Sequence, residues 1–234
     1  EAEKGIITEE VRMYEDSPAM QLPFALYRNL FEKDNHRFLI AGEVEDVKKT
    51  TLKDIENAYK TFYHPSNMFV IITGNFNAEE ALAIITENQA KKKFTSPFKI
   101  KKKESKEPIK VVKEFESIET TVEIPKVNIG LKIPKAYFKA LGLSEVETNL
   151  YISFIMNTNF GISSEVRDQL ISGNIMTEGI DFSKFMTKDY YILELAAETP
   201  YPERYISIMK EKLKKVTITK EEFSRKKKVA ISNF

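Results

Sequence analysis

Glu1-Ala2-Glu3-Lys4-Gly5-Ile6-Ile7-Thr8-Glu9-Glu10-Val11-Arg12-Met13-Tyr14-Glu15-Asp16 opens the chain, and Ser17-Pro18 follows it as a stop. At about 100° of turn per residue, Ile6, Glu10, Glu3, Tyr14 and Ile7 share one sector about 100° wide, that of a normal buried stripe. Lys4, Thr8, Glu9, Arg12, Glu15 and Asp16 take the rest of the circumference. Glu3 and Glu10 therefore sit inside the apolar stripe, two turns and roughly 10 Å apart. A carboxylate among isoleucines is costly to ionise unless something compensates it. A metal ion, an arginine or a water-filled cleft would serve. So would a place at the edge of the stripe, from which the carboxylate reaches solvent or a basic partner.

Composition bounds what such a helix belongs to. The 234 residues are 42% hydrophobic and 30% charged, an ordinary globular mix sufficient for one large or two ordinary domains. A net charge of +1 gives no global electrostatic case for a nucleic acid or a membrane surface. With no cysteine there is neither a disulfide framework nor thiolate chemistry, which fits a reducing, cytoplasmic setting. No apolar run approaches the ~20 residues of a membrane span. The chain begins without methionine and stops inside a helical pattern, Lys220–Phe234, so an internal piece of a longer protein is expected.

Outward from the first helix, Ser17-Pro18 predicts a second one over Pro18–Phe31, with Pro23 near its start. Glu32–Arg37 is a polar loop in which His36 is expected to make a structural hydrogen bond. Ile40–Val47 is ambiguous. Thr51-Leu-Lys-Asp54 reads as a capping box opening a helix to about Tyr63, with Ile55, Ala58, Tyr59 and Phe62 on one face. His64 is expected to favour the end of that helix. Met68–Thr73 reads as a buried strand closed by Gly74, and Asn77 caps a helix to about Ala90 with Ala81, Leu82 and Ile85 inward. Lys91–Lys110 loses periodicity and holds Lys91-Lys92-Lys93 and Lys101-Lys102-Lys103. Glu104 and Glu107 interleave with these, so a solvated linker is expected rather than a nucleic-acid patch built with Phe94 and Phe98.

Strands are then predicted over Val111–Phe115, Thr120–Ile124 and Val127–Ile133, and a central helix over Leu143–Phe160. Ser163 is expected to cap a helix over 164–171. Strands Ile175–Phe185 and Tyr190–Ala197 form a hairpin through Thr187-Lys188-Asp189, and helices follow over Pro202–Val216 and Lys220–Ile231. Helices and strands mix without regular βαβ alternation. The expectation is an α+β fold, helices packed on a mostly antiparallel sheet.

Glu3-Lys4-Gly5-Ile6-Ile7-Thr8-Glu9-Glu10-Val11 resembles the segment that follows the zinc motif in M16 metallopeptidases, the insulinase/pitrilysin family. Arg12-Met13-Tyr14-Glu15-Asp16-Ser17-Pro18 is similar to one bacterial branch of that family. Thr61-Phe62-Tyr63-His64-Pro65-Ser66-Asn67-Met68 with Val70–Phe76, then Gly161-Ile162-Ser163-Ser164, and more weakly Thr199-Pro200 and Arg225-Lys226-Lys227-Lys228, extend the resemblance along nearly the whole chain. It implies two similar α+β domains: 1–90 as the end of the first, zinc-binding one, 91–110 as a Lys-rich linker, and 111–234 as most of the second. It places Glu10 at the position of a zinc-ligating glutamate and Glu3 at that of a supporting one. It also implies Zn2+ in the complete protein, a peptide or protein substrate, and a partner subunit of the same kind or a homodimer.

Two departures qualify this. The family's His-x-x-Glu-His motif, which supplies two ligands and the general base, is not in this chain, whose histidines are His36 and His64. The family's substrate-gripping Arg…Tyr pair is not reproduced around Leu170–Thr177, and Arg167 is expected to be a helix-surface residue. Two functions compete. One is a part of a zinc metalloendopeptidase, inactive by itself. The other is a non-catalytic relative that binds or scaffolds a partner.

Overall fold

A computed structural model of the chain describes residues 2–95, 99–101 and 105–232. Phe98, Lys102, Lys103 and Glu104 of the basic segment lie outside the described residues.

The first helix, α1, runs Ala2–Asp16, and α2 follows at once over Pro18–Leu30, with Pro18 in its first turn and Pro23 accommodated inside. A short turn over Asn35–Arg37 leads to α3, Val44–Lys49, which resolves the ambiguous stretch as helix. In α4, Leu52–Phe62, the capping box is present: Asp54 N–H donates to Thr51 Oγ1 at 3.2 Å, and Thr51 N–H to Asp54 Oδ2 at 2.9 Å. Asn77 caps α5, Ala78–Ala90, by accepting from the Glu79 and Glu80 N–H groups.

The second half is built on β1, Lys126–Pro134. Then come α6, Lys135–Ala140, α7, Glu145–Phe160, and α8, Glu165–Ser172. The hairpin partners β2, Asp181–Met186, and β3, Tyr190–Glu198, precede α9, Pro202–Lys214, and α10, Lys220–Ser232. The sheet has the order β1-β3-β2 and both pairings are antiparallel, so the α+β expectation holds. Thr187-Lys188-Asp189 does turn the hairpin: Thr187 N–H donates to Tyr190 O at 2.9 Å, and Tyr190 N–H to Thr187 Oγ1 at 3.1 Å.

Register sorts the side chains onto two faces. Val127, Ile129, Leu131 and Ile133 of β1 lie opposite Ala197, Leu195, Leu193 and Tyr191 of β3. This face packs on Ile152, Met156 and Phe160 of α7, Leu170 of α8, and Tyr205 and Met209 of α9. The other face carries Gly130 and Lys132 of β1, Tyr190, Ile192 and Glu194 of β3, and Phe185 of β2. α2 lies on it, bringing Leu26, Leu30 and Phe31 against Tyr190, Ile192 and Phe185. A Cβ at Gly130 would stand 2.7 Å from Leu26 Cδ1 and 3.0 Å from Leu30 Cδ1, so the bare strand is what lets the helix come this close.

Several expectations are corrected. Val111–Phe115 and Thr120–Ile124 are not strands; Val112 N–H instead donates to Asn29 O at 2.7 Å, which docks that segment on the end of α2. Met68–Thr73 is neither a strand nor buried: Phe69 is 84% and Ile71 74% exposed. A strand needs a second backbone to pair with, and among the described residues none lies alongside. The expected inner face of α4, Ile55, Tyr59 and Phe62, is exposed, as is Leu82 of α5. The strand expected from Ile175 begins at Asp181, although Ile175 and Met176 are buried. The cap of α8 is Ser164, whose Oγ accepts from Arg167 N–H at 3.2 Å, one residue beyond the expected Ser163.

Candidate functional site

α1 buries a different face from the one its apolar stripe suggests. Thr8 and Val11 are buried, Val11 completely, while Ile6 is 64% exposed and Ile7 and Met13 also face outward. The buried sector is rotated by about a third of a turn from the Ile6–Glu10 stripe. The cause is where neighbours lie: α1 packs on α2 and α3, and Lys4 Nζ reaches across to Lys48 O at 2.8 Å. Glu3 and Glu10 still share a flank with Ile6 and Ile7, but the flank is open and both carboxylates are exposed. The Tyr14 hydroxyl donates to Glu10 Oε1 at 3.2 Å. That bond and the charge of Glu10 push the Tyr14 hydroxyl above its ordinary value. Glu9, next along the helix, is held by Arg12 at 2.6 Å. Tyr14 is the orienting partner that the sequence reading took only as a stripe residue; a tyrosine one turn after a glutamate is the signal for it.

The histidines are structural. His36 Nδ1 lies 2.6 Å from Asp34 Oδ1, and its ring stacks on Phe185 with centroids 4.9 Å apart. His64 is buried, and it does not cap the end of α4 as expected. Its Nδ1 accepts from Ser66 N–H at 3.1 Å, and its Nε2 lies 3.1 Å from Thr95 O, which pins the chain after α5 to the turn over Pro65–Asn67. Among the described residues no three of His, Asp and Glu converge in a geometry that would hold a metal ion. The described residues therefore bring no zinc-binding set together, and Glu3 lies two turns along the helix from Glu10, too far for both to share one ion with Zn–O bonds of about 2 Å. Arg167 is half-buried beside Asp168, at 3.8 Å, rather than a free surface residue.

A concavity of about 980 Å³ lies elsewhere, between Ser105–Glu107, the corner from β1 to α6, the start of α7 and the β2–β3 turn. None of its walls comes from α1. One of them belongs to a buried ion pair that sequence reasoning missed. Lys132 Nζ and Glu107 Oε1 are 2.7 Å apart, with side chains 2% and 3% exposed. Glu107 also accepts from the N–H groups of Glu32, Lys33 and Asp34 at 3.0, 2.7 and 2.8 Å. Burial by itself would raise the Glu107 carboxyl. The Lys132 ammonium and the three N–H donors outweigh it and hold the carboxyl down at about 2. The one sign in the sequence was a lysine interrupting an apolar strand, and it reads equally well as a solvated edge.

Comparison with known proteins places this geometry. Residues 49–229 match the family described as the Peptidase M16 inactive domain. The chain is 33% identical over 233 residues to the uncharacterised zinc protease YmfH of Bacillus subtilis (strain 168), covering 98% of this chain and 54% of that protein. It is 27% identical over 95 residues to the zinc protease PqqE of Helicobacter pylori, 40% of this chain and 20% of that protein. The crystal structure of an M16-like peptidase from Alicyclobacillus acidocaldarius superposes with a TM-score of 0.86 at 28% identity, over 99% of this chain and 55% of that one. A Helicobacter pylori protease shares the fold, with a TM-score of 0.75 at 20% identity, over 99% of this chain and 57% of that chain. The chain thus spans about half the length of the relatives it matches most fully.

Proposed function

The chain belongs to the M16 peptidase family, and we propose that it is the part of a zinc metalloendopeptidase that contributes Glu10 as a metal ligand and Glu3 as its support, without hydrolytic activity of its own. The observation that carries this reading is the open flank of α1. Two carboxylates stand there among exposed isoleucines, on a helix whose opposite side is locked down by Val11 and Thr8. The 33% identity to a zinc protease across 98% of the chain supports the same reading.

When bound, zinc polarises a scissile carbonyl and lowers the pKa of its water. This chain's share is to hold one carboxylate in place, with Tyr14 donating to one of its oxygens. The exposed apolar surface of α4 and of residues 68–72 supports a further proposal. Residues 1–90 finish a first, zinc-binding domain whose remainder covers that surface, 91–110 link it onward, and 111–234 form the second domain. A peptide is the substrate, and a related subunit or a second copy is the partner. The scaffold reading keeps one support, the inactive-domain family matched by residues 49–229. A fluorogenic peptide assay separates the two. Cleavage by the full-length parent, lost in Glu10→Gln and slowed in Glu3→Gln, is the expected result. A full-length parent with no turnover makes the chain part of a scaffold.

A further inference from the structure

The segment before β1 is not a free linker where it passes the end of α2. Lys132 Nζ donates to Glu107 Oε1 and, at 2.7 Å, to Leu30 O, the last carbonyl of α2. The same ammonium stands 5.2 Å over the Phe31 ring and 4.9 Å over the Tyr190 ring. The Tyr190 hydroxyl returns a bond to the Glu107 backbone carbonyl at 2.8 Å. Successive N–H groups at 32–34 form an anion nest, and Glu107 fills it. A buried pair is retained at this cost only when its remaining lone pairs and protons are satisfied, as they are here. Three pieces of chain meet in the clasp: the end of α2, the segment before β1, and β1 itself. Nearby, Tyr27 donates to Glu194 Oε1 at 2.6 Å and ties the middle of α2 to β3. α1 packs on α2, whereas among the described residues α4 and α5 are not laid on the sheet.

We propose that Glu107 and Lys132 are positioning residues: they weld residues 2–37 to the sheet of the second half, so that Glu10 is held by that sheet and not by residues 52–90. α3 goes with the same body, because it packs on α1 and Lys4 Nζ reaches Lys48 O, so the connection to residues 52–90 that the weld leaves free lies after residue 49. The second half, which lies within the stretch 49–229 matched to an inactive domain, thereby acquires a task, fixing the helix that carries Glu10. Only the meaning of Glu10 rests on the function proposed above; the weld itself does not.

The chain has no cysteine, so paired labels are simple to place. Met13→Cys on α1 and Val146→Cys on α7 are exposed sites for nitroxides, and Val146→Cys with Tyr201→Cys is a control pair within the second half. Pulsed EPR on the 234-residue chain should give a narrow Met13–Val146 distribution. In Glu107→Ala that distribution should widen about twofold or more while the control pair stays unchanged. Lys132→Met should widen it less, because the backbone nest remains. An unchanged width in Glu107→Ala overturns the proposal, and so does equal widening of both pairs. Should Glu107→Ala not fold, hydrogen exchange on the unsubstituted chain decides. The amides of Glu32, Lys33 and Asp34 should exchange about 100-fold or more slowly than open loop amides, and exchange at the open-loop rate overturns it. No metal enters these measurements, so a failed zinc reading leaves their outcome untouched.

Discussion

Residues 38–95 and residues 126–216 use the same kinds of sequence and end differently. Both halves have well-capped helices and an alternating or apolar run fit for a strand. In the second, Leu193 and Leu195 of β3 close onto α7 and α9, and Tyr205 and Met209 lose all exposure. In the first, Ile55, Tyr59 and Phe62 of α4 and Phe69–Ile72 face outward. The contrast teaches that patterning writes the face an element wants to bury, while burial itself requires an opposing surface. The second half carries its own. Among the described residues the first meets none, and its apolar side chains stay exposed as a contiguous set rather than singly.

The clasp joins these regions and should give the largest effect. Glu107→Ala leaves Lys132 buried and unpaired and should cost about 3–5 kcal/mol in a urea melt of the second half; a loss below about 1 kcal/mol would mean the pair is loosely held. Next comes the contrast itself. Leu195→Ala should cost about 2–5 kcal/mol, whereas Ile71→Ala should stay within about 0.5 kcal/mol in this chain. Equal costs would erase the distinction between the halves.

Acid sharpens the same point. The Glu107 carboxyl lies lower in the folded chain than in the unfolded one, about 2 against roughly 4.3. Its contribution is therefore fully present above about pH 4.3 and is lost as pH falls through about 2. The stability gap between the unsubstituted chain and Glu107→Gln should be constant from pH 7 to 5 and shrink below. The groups facing Glu107 are the Lys132 side chain and the Tyr190 hydroxyl, which burial pushes above its ordinary value, so the fall belongs to the Glu107 carboxyl. A gap that is flat to pH 2 would place the carboxyl elsewhere.

The smallest effects are local. Lys126 pairs with Glu198 on the same sheet face as Lys132 but in a partly exposed position, and Lys126→Ala should cost less than about 1 kcal/mol. Thr51→Ala removes the cap of α4 and should lower helicity by the equivalent of about 1 kcal/mol. It should leave the melting of the second half unmoved, because α4 is not laid on that core.

What the sequence disclosed follows the range of the interactions. Thr51 with Asp54, Asn77, and the Thr187–Asp189 turn were legible because each chooses hydrogen bonds within a few residues. The face buried by α1 was not. Lys4, Thr8 and Val11 adjoin the apolar stripe on the helical wheel, and the position of α3 decided between them. The strand expected over 111–115 fails because that stretch is drawn to the end of α2, where the Val112 and Lys113 N–H groups donate to Asn29 O. Glu107 was hidden most completely, the backbone donors of its carboxylate lying 73 to 75 residues away in the chain. Glu10 was legible as a carboxylate in an apolar setting, but the exposure of that setting was not.

Zinc titration calorimetry on the full-length parent and on its Glu10→Gln variant tests the central claim most directly. The account predicts one tightly bound zinc in the parent, its loss in Glu10→Gln, and no tight site in the 234-residue chain alone. Tight zinc retained in Glu10→Gln, or bound stoichiometrically by the chain alone, would contradict it.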